Sequence, residues 1–279
     1  MLHKALIGII GLCLGGLPPA QANAAPAAGA KPVARANLNL PELKRALESG
    51  DVDRALSALD EIAQAGSPSA APLVEAVLNR GASSKLLLRA IAVAGSLGRE
   101  SSSAALAPYV KHRSAEVRHA AAVSLTHTKG KIAVQALRDA LRGSDASLRG
   151  AAADGLGSLN AKEAVSDLFV VLPREVPEAA GAIGALCNGE ECKRFLNFLG
   201  KLPFDVMQSG FLPILLRTDA EAPEHVKLDL IERLRRMATP KTNEVLSTAL
   251  ATYPAGGSPK VKTALDAALH GHSVKADEP

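Results

Sequence analysis

The chain has 279 residues, of which 47% are apolar and only 3% aromatic, and it contains no tryptophan. An interior of Ala, Leu and Val, without long alternation of β-branched residues, predicts packed helices and gives strands little to start from. The formal net charge of +4 is too small for the dense Lys/Arg surface of a dedicated nucleic-acid binder, so we expect no specific nucleic-acid partner.

Residues 1–24 have the pattern of a signal peptide. Lys4 supplies a positive start, an apolar stretch runs from Ala5 to Leu17, and Ala22-Asn23-Ala24 places small residues where a signal peptidase cuts. A membrane-spanning anchor is the competing interpretation, but the apolar stretch is too short, because a span needs about 20 residues. We therefore expect cleavage near Ala24, a mature chain that is periplasmic or secreted, and no transmembrane segment in that mature chain.

The rest of the chain divides into a linker, a folded body and a tail. Residues 25–37 are rich in Ala and Pro and have no periodic apolar face, which predicts a flexible linker. Residues 38–270 carry a helical pattern and form the predicted solenoid domain. Residues 271–279 are polar, and we expect them to be a disordered tail.

A repeat of about 31 residues runs through the middle of the chain. Four segments share one order of apolar and small residues, and they begin at Leu87, Val117, Leu148 and Val176. Each is followed by a second apolar stripe, in which Leu106, Leu137 and Leu168 are 31 residues apart and the step to Phe195 is 27. Apolar positions at i, i+3, i+4 and i+7 predict an amphipathic helix for each stripe, and the short breaks between stripes predict hairpin turns.

Further hairpins are predicted on both sides of this repeat, at residues 51–79, 204–238 and 240–270. One hairpin cannot bury its apolar face alone, whereas a stack of neighbours buries it continuously. The predicted fold is therefore all-α, a right-handed α-α superhelix in which about seven helical hairpins form a solenoid with degenerate terminal repeats.

Two stretches carry a resemblance to a known family: Ser114-Ala115-Glu116-Val117-Arg118-His119-Ala120-Ala121-Ala122 and Asp145-Ala146-Ser147-Leu148-Arg149-Gly150-Ala151-Ala152-Ala153. Each is followed by a Leu, a turn and an apolar second helix. The pattern resembles the HEAT-repeat family, especially the short repeats of bilin-lyase-like proteins, and with residues 1–24 it suggests an exported, bacterial-type member. The resemblance is good over residues 83–201 and faint outside. It implies the fold and says little about function, because the family binds proteins, nucleic acids and pigments alike.

Three arginines occupy equivalent or nearly equivalent positions in successive repeats: Arg89, Arg118 and Arg149. One interpretation is a basic ladder that attracts an acidic partner. The other follows from the resemblance, because HEAT-like proteins use this arginine to bond neighbouring turns and helix ends. We favour the structural interpretation.

The second helices resemble those that line the concave side of such solenoids, and they carry a basic stripe. Between residues 111 and 149 there are eight Lys/Arg and three Asp/Glu, a local excess of +5. The candidate partner-binding residues on these helices are Lys111, Arg138, Arg142, Lys193 and Arg194, together with Phe198, which lies off the main apolar stripe. An ordinary solvated face is the alternative interpretation.

Cys187 and Cys192 flank the turn between the two helices of one hairpin. An exported chain leaves the reducing compartment, so the pair predicts a structural disulfide. Free buried thiols and half a metal site are the alternatives, and the second of these lacks a nearby His. We predict no metal site.

The motifs of the common enzyme classes are missing. The sequence has no Gly-x-Gly-x-x-Gly, no phosphate loop and no Gly-x-Ser-x-Gly elbow. No His is followed by Glu, a pair that iron hydroxylases of the HEAT class need. We therefore expect a chain without catalytic residues or cofactors.

The leading functional hypothesis is a non-enzymatic, exported scaffold that binds a protein partner through its concave helical face. One alternative is an electrostatic binder of an anionic polymer or membrane surface through the basic stripe. Another is an accessory subunit of an enzyme. Neither the partner nor the oligomeric state follows from the sequence.

Overall fold

The computed structural model describes residues 38–270. The predicted signal peptide, linker and tail (residues 1–24, 25–37 and 271–279) lie outside the described residues. Inside them the chain is helical, and the only β-type pairing in that range is an isolated bridge between Leu199 and Leu202. None of the helices between residues 38 and 270 is both long and apolar enough to cross a bilayer.

The helices follow one another with short turns. They are α1 (Leu40–Glu48), α2 (Val52–Ala65), α3 (Ala71–Arg80), α4 (Ser84–Leu97), α5 (Ser102–Leu106), α6 (Ala115–Thr128), α7 (Gly130–Leu141), α8 (Ala146–Ser158), α9 (Val165–Val171), α10 (Pro177–Leu186), α11 (Gly189–Leu196), α12 (Phe204–Met207), α13 (Phe211–Leu216), α14 (Glu224–Met237), α15 (Pro240–Thr252) and α16 (Pro259–His270). Short 3-10 turns extend several of them, at Pro68–Ala70, Ala107–Lys111, Lys162–Ala164, Leu172–Arg174 and Gln208–Gly210.

Capping residues set where these helices begin and end. Asp51 accepts hydrogen bonds from the first backbone N–H groups of α2, and Asn188 forms a capping box with Glu191 at the start of α11. Gly66 ends α2 in the left-handed conformation, with φ of 56°, which costs glycine little because it has no Cβ. Each such stop makes the chain reverse within a few residues and start the next helix.

The helices form two parallel rows. The first row consists of α2, α4, α6, α8, α10, the α12–α13 pair and α15, and consecutive members contact one another throughout. The second row consists of α3, α5, α7, α9, α11, α14 and α16, with serial contacts from α3 to α9 and from α11 to α16. Residues 52–270 are thus seven stacked hairpins, and α1 covers the open end against α2 and α3. The all-α solenoid is confirmed.

Buried leucines and related side chains form one continuous core between the rows. Leu106, Leu137, Leu168 and Phe195, the residues that define the repeat spacing, are each 0% exposed. Because every hairpin contributes to the interface on either side of it, the core has no break along the stack.

The repeat becomes irregular where its spacing shortens to 27 residues. There the first-row helix is broken into α12, a 3-10 turn and α13, and three aromatic rings fill the space beside it. Phe195 lies edge-on to Phe211 with ring centroids 6.2 Å apart, and Phe204 lies 5.6 Å from Phe211. Phe195 and Phe211 are fully buried, so these rings fill the core beside the broken first-row helix.

Candidate partner-binding site

Arg118 and Arg149 hold the turns that precede their own helices. Nη1 of Arg118 donates to the carbonyl oxygens of His112 and Arg113, at 2.9 and 3.0 Å. Nη1 of Arg149 donates at 3.0 and 2.8 Å to the carbonyl oxygens of Gly143 and Ser144, which stand in the same register. This geometry agrees with the structural interpretation of the three arginines, because the guanidinium groups of Arg118 and Arg149 donate to backbone carbonyl oxygens.

Arg89 behaves differently from the other two arginines of the predicted ladder. Its Nε lies 2.6 Å from Oδ1 of Asp60, which joins α4 to α2. The two side chains are 39% and 52% exposed, so this ion pair contributes little to stability.

Three cations of the basic stripe of the second row have carboxylate partners. Nε of Arg138 lies 2.6 Å from Oδ2 of Asp167, and Nη2 of Arg142 lies 3.3 Å from Oδ1 of the same residue. Nζ of Lys111 lies 3.8 Å from Oδ2 of Asp139. The local excess of positive charge counted from the sequence therefore overstates the positive field of this face, because Asp167 lies outside the counted segment and reaches it only through stacking.

The remaining candidates of the second row form a small aromatic and charged cluster. The guanidinium carbon of Arg194 lies 4.2 Å from the ring centroid of Phe169. Phe198 stacks on the same ring at 6.2 Å between centroids and is half-buried, while Lys193 pairs with Glu190 at 2.7 Å. These contacts occupy the groups that the sequence offered as binding residues.

Cys187 and Cys192 are joined as the sequence predicted, with an Sγ–Sγ distance of 2.04 Å. Arg217, from the turn after α13, donates to the carbonyl oxygens of Cys187 and Gly184 at 2.6 and 2.8 Å. Burial lowers the pKa of Arg217. The disulfide joins the end of α10 to α11, and Arg217 holds the same end of α10 to the next hairpin.

Lys227 belongs to the same region and was not singled out from the sequence. It is 1% exposed, and its ammonium donates to Oδ1 of Asp219 at 2.8 Å and to the carbonyl oxygen of Arg217. A buried lysine with two partners is a structural group.

A continuous groove lies along the first row. One part, of about 490 Å³, lies between α8, α10 and the 3-10 turn that ends at Gly210. The adjoining part, of about 500 Å³, lies between α6 and α8. Asp154, Ser158 and Glu178 line both parts, and we call the whole the first-row groove.

Small side chains open this groove. Gly150 and Ala151 line one part, and Gly157 and Gly181 line the other. A Cβ at Gly150 would lie 3.0 Å from Cδ of Glu178, so the carboxylate of Glu178 lies directly over the α8 backbone. The aligned glycines and alanines of the first helices were the sequence signal for this groove, and our sequence analysis did not use it.

The first-row helices approach one another closely. A Cβ at Gly95 would lie 2.8 Å from Cβ of Ser124, and one at Gly155 would lie 2.6 Å from Oγ1 of Thr126. Between α3 and α9 the second-row helices contact one another less extensively than the first-row helices between α2 and α10. The prediction that the second helices line the concave side stays a prediction.

In the described part of the chain the histidines belong to no cluster of metal ligands. His119 and His127 line the first-row groove, whereas Nδ1 of His112 accepts a hydrogen bond from the backbone N–H of Ser114 at 3.1 Å. Within residues 38–270 no three His, Cys, Asp or Glu side chains are placed to hold a metal ion.

Comparison with known proteins gives one family match. Residues 71–157 match the family model described as HEAT repeats. The matched range contains Arg118 and Arg149 and the turns that they bond. No curated protein matches the sequence.

Solved structures show similarity at low identity. The complex of CpcE and CpcF of phycocyanin lyase from Nostoc sp. PCC7120 is 16% identical, with 91% of this chain and 99% of that chain covered and a TM-score of 0.47. An engineered protein is 15% identical over 83% of this chain and 67% of its own, also at 0.47. A designed armadillo repeat protein in complex with a (KR)4 peptide is 14% identical over 84% and 99%, at 0.36. Nothing about the function of this chain follows from similarities at this level.

Proposed function

We propose that this HEAT-repeat chain is a protein-interaction scaffold that holds a segment of a partner protein in the first-row groove. The observation that supports the proposal is the continuity of the groove, whose two parts share Asp154, Ser158 and Glu178 across the hairpins that contain α6, α8 and α10. Solenoids use extended surfaces that run over several repeats for binding. In this role the chain binds and does not catalyse.

The groove is a better candidate than the second-row face for two reasons. It is open over two hairpin interfaces, and it exposes apolar surface such as Val123, which is 42% exposed. The second-row cations, by contrast, already have carboxylate partners in Asp139 and Asp167. A scaffold that binds by charge alone through that face would first have to break these pairs.

The groove can be blocked without disturbing the core. Ser158 is exposed at the end of α8 and lines both parts of the groove, so Ser158→Trp fills it with a large ring. Ser166, exposed on α9 in the second row, gives the matched control Ser166→Trp. Far-UV circular dichroism of both variants checks that the helices are intact.

The full chain, immobilised and exposed to an extract of its source cells, should retain a specific protein that mass spectrometry identifies. We expect Ser158→Trp to lose this protein and Ser166→Trp to retain it. Retention by both variants, or loss by both, would contradict a binding site in the groove. If the retained protein is an enzyme, its turnover with and without the chain tests the accessory-subunit role.

We also propose that the chain works after export, in the periplasm or outside the cell. The pattern of residues 1–24 supports this, and so does the Cys187–Cys192 disulfide, because such bonds persist in oxidising compartments. Mass spectrometry of the protein from fractionated cells should find an N-terminus after Ala24 and no alkylation of either cysteine without reductant. An intact Met1 and two alkylated thiols in a cytosolic fraction would contradict export.

A further inference from the structure

The first-row groove is negatively charged within a chain that is positive as a whole. Asp154 and Glu178 line both parts of the groove, and no Lys or Arg lines either part. The lining therefore carries −2 (two carboxylates and no cation) in a chain of net charge +4, with His taken as neutral in both. The charge of the groove is opposite to that of the chain.

The two carboxylates are not used by the fold as ion-pair partners. Neither Asp154 nor Glu178 forms a salt bridge with another residue of the described part of the chain. Glu178 gains something from its place in the first turn of α10, where the helix dipole favours an acid. Asp154 lies in the interior of α8 and has no such role.

The positions of these carboxylates match an elongated ligand. Glu178 reaches from α10 over Gly150 of α8, so its carboxylate stands on the surface that joins the two parts of the groove. Gly157 and Gly181 leave the floor without bulky side chains, which allows the backbone of a bound chain to approach closely. Long cationic side chains can lay their apolar stems on such a floor and place their charges at the carboxylates.

We propose that the occupant of the first-row groove is an extended segment of a partner protein that carries Lys or Arg side chains. This inference rests on the proposed scaffold function and adds the chemistry of the partner. Opposite charge across the interface would set the register of the segment and speed its association.

Fluorescence anisotropy with the full chain tests the proposal. The probe is a labelled ten-residue peptide in which Arg alternates with Ala, and the matched probe has Gln in place of every Arg. We expect the Arg peptide to bind at least about tenfold more tightly than the Gln peptide, as expected for two ion pairs at a partly shielded surface. Asp154→Asn and Glu178→Gln should each weaken its binding about two- to fivefold.

Glu163→Gln is the matched control, because Glu163 is exposed, has no salt-bridge partner among the described residues and lies just before α9 in the second row. It should leave the affinity for the Arg peptide unchanged. Equal binding of the two peptides, or an equal loss in Glu163→Gln, would overturn the proposal. A concentration-dependent dimer that Ser158→Trp abolishes would assign the groove to a second copy of the chain and would also overturn it.

The two proposals fail in different ways. If Ser158→Trp loses the captured protein while Asp154→Asn and Glu178→Gln do not weaken the Arg peptide, the groove is a binding site and its preference for cations is wrong. If the Arg peptide needs both carboxylates but Ser158→Trp still captures the same protein from the extract, the groove prefers cationic peptides and the scaffold function through it is wrong.

Discussion

Arg118 and Arg149 stand at the same repeat position, but only Arg118 has a carboxylate partner in the next repeat. Arg118 bonds the turn before α6, and its Nε also donates to Oδ2 of Asp145 at 3.2 Å, in the next repeat. Arg149 makes the same turn contacts, but 31 residues after Asp145 the chain has Val176, and Nε of Arg149 is buried without a partner among the described residues. The arginine therefore has a carboxylate partner in the next repeat at Arg118 and lacks one at Arg149.

The Arg118–Asp145 contact should make stability depend on pH. The hydrogen bond from Arg118, followed by that from the N–H of Leu148, lowers the pKa of Asp145 below its usual 3.8. A carboxyl with a lowered folded-state pKa stabilises the fold above its unfolded pKa, and this contribution disappears as the pH falls through the folded-state value. Asp145→Asn, which keeps an oxygen for the cap, should cost about 1 kcal/mol at neutral pH, and this cost should shrink as the pH falls below 3.8.

Urea unfolding of wild type and Asp145→Asn from neutral pH to about pH 2 measures this difference. In an Arg118→Ala background the same substitution should have a smaller pH-dependent effect, because only the backbone N–H groups of the cap still lower the pKa of Asp145. A cost that stays constant to the lowest pH would show that Asp145 acts as a cap and not through its charge.

At the scale of helices, the spacing of the first row depends on a few positions without a side chain. At Gly184 of α10 an added Cβ would overlap the carbonyl oxygen of Gly210 in the facing turn. Three residues earlier on the same helix, a Cβ at Gly181 would meet Ser209 only at 3.7 Å, an ordinary contact. The same helix thus has one glycine that its neighbour requires and one that it does not.

Gly184→Ala should destabilise the chain by about 2 kcal/mol or more, because α10 must move away from the turn at Gly210. Gly181→Ala should be neutral or stabilise by up to about 1 kcal/mol, since Ala favours the helix over Gly. Thermal and urea unfolding of the two variants provide the comparison. Equal effects would mean that helix propensity, and not the distance between helices, controls both positions.

For the molecule as a whole, stability is distributed along a stack in which each hairpin contacts its neighbours. Leu137 of α7 is one residue of this continuous core. It packs against α8, where an added Cβ at Gly155 would lie 3.1 Å from Cδ1 of Leu137. Damage at one hairpin should therefore weaken the adjacent interfaces first.

Leu137→Ala should cost about 2 to 5 kcal/mol, because Leu137 is fully buried and leaves a cavity. Hydrogen exchange measured by mass spectrometry should show faster exchange in α6, α7 and α8 than in α2 or α16. Val170→Ala is the control, because Val170 is 68% exposed and its truncation should change exchange nowhere. A uniform increase along the whole chain would contradict serial coupling and indicate a single cooperative unit.

The sequence by itself determined the helices, their pairing into hairpins and the core positions. Leu106, Leu137 and Leu168 are buried as their spacing predicts, and Cys187 and Cys192 meet because only one short turn separates them. These features depend on periodicity and local chain reversal, which are visible along the chain.

Only the tertiary structure decided which charged side chains pair with each other and where a groove is open on the surface. Two arginines of the basic stripe pair with Asp167, which lies 29 residues from Arg138 in sequence and 2.6 Å away in space. The first-row groove likewise depends on how closely α6, α8 and α10 stack, a distance set by Gly150, Gly157 and their neighbours together. Contacts between repeats follow from the geometry of stacking, and no single repeat contains that information.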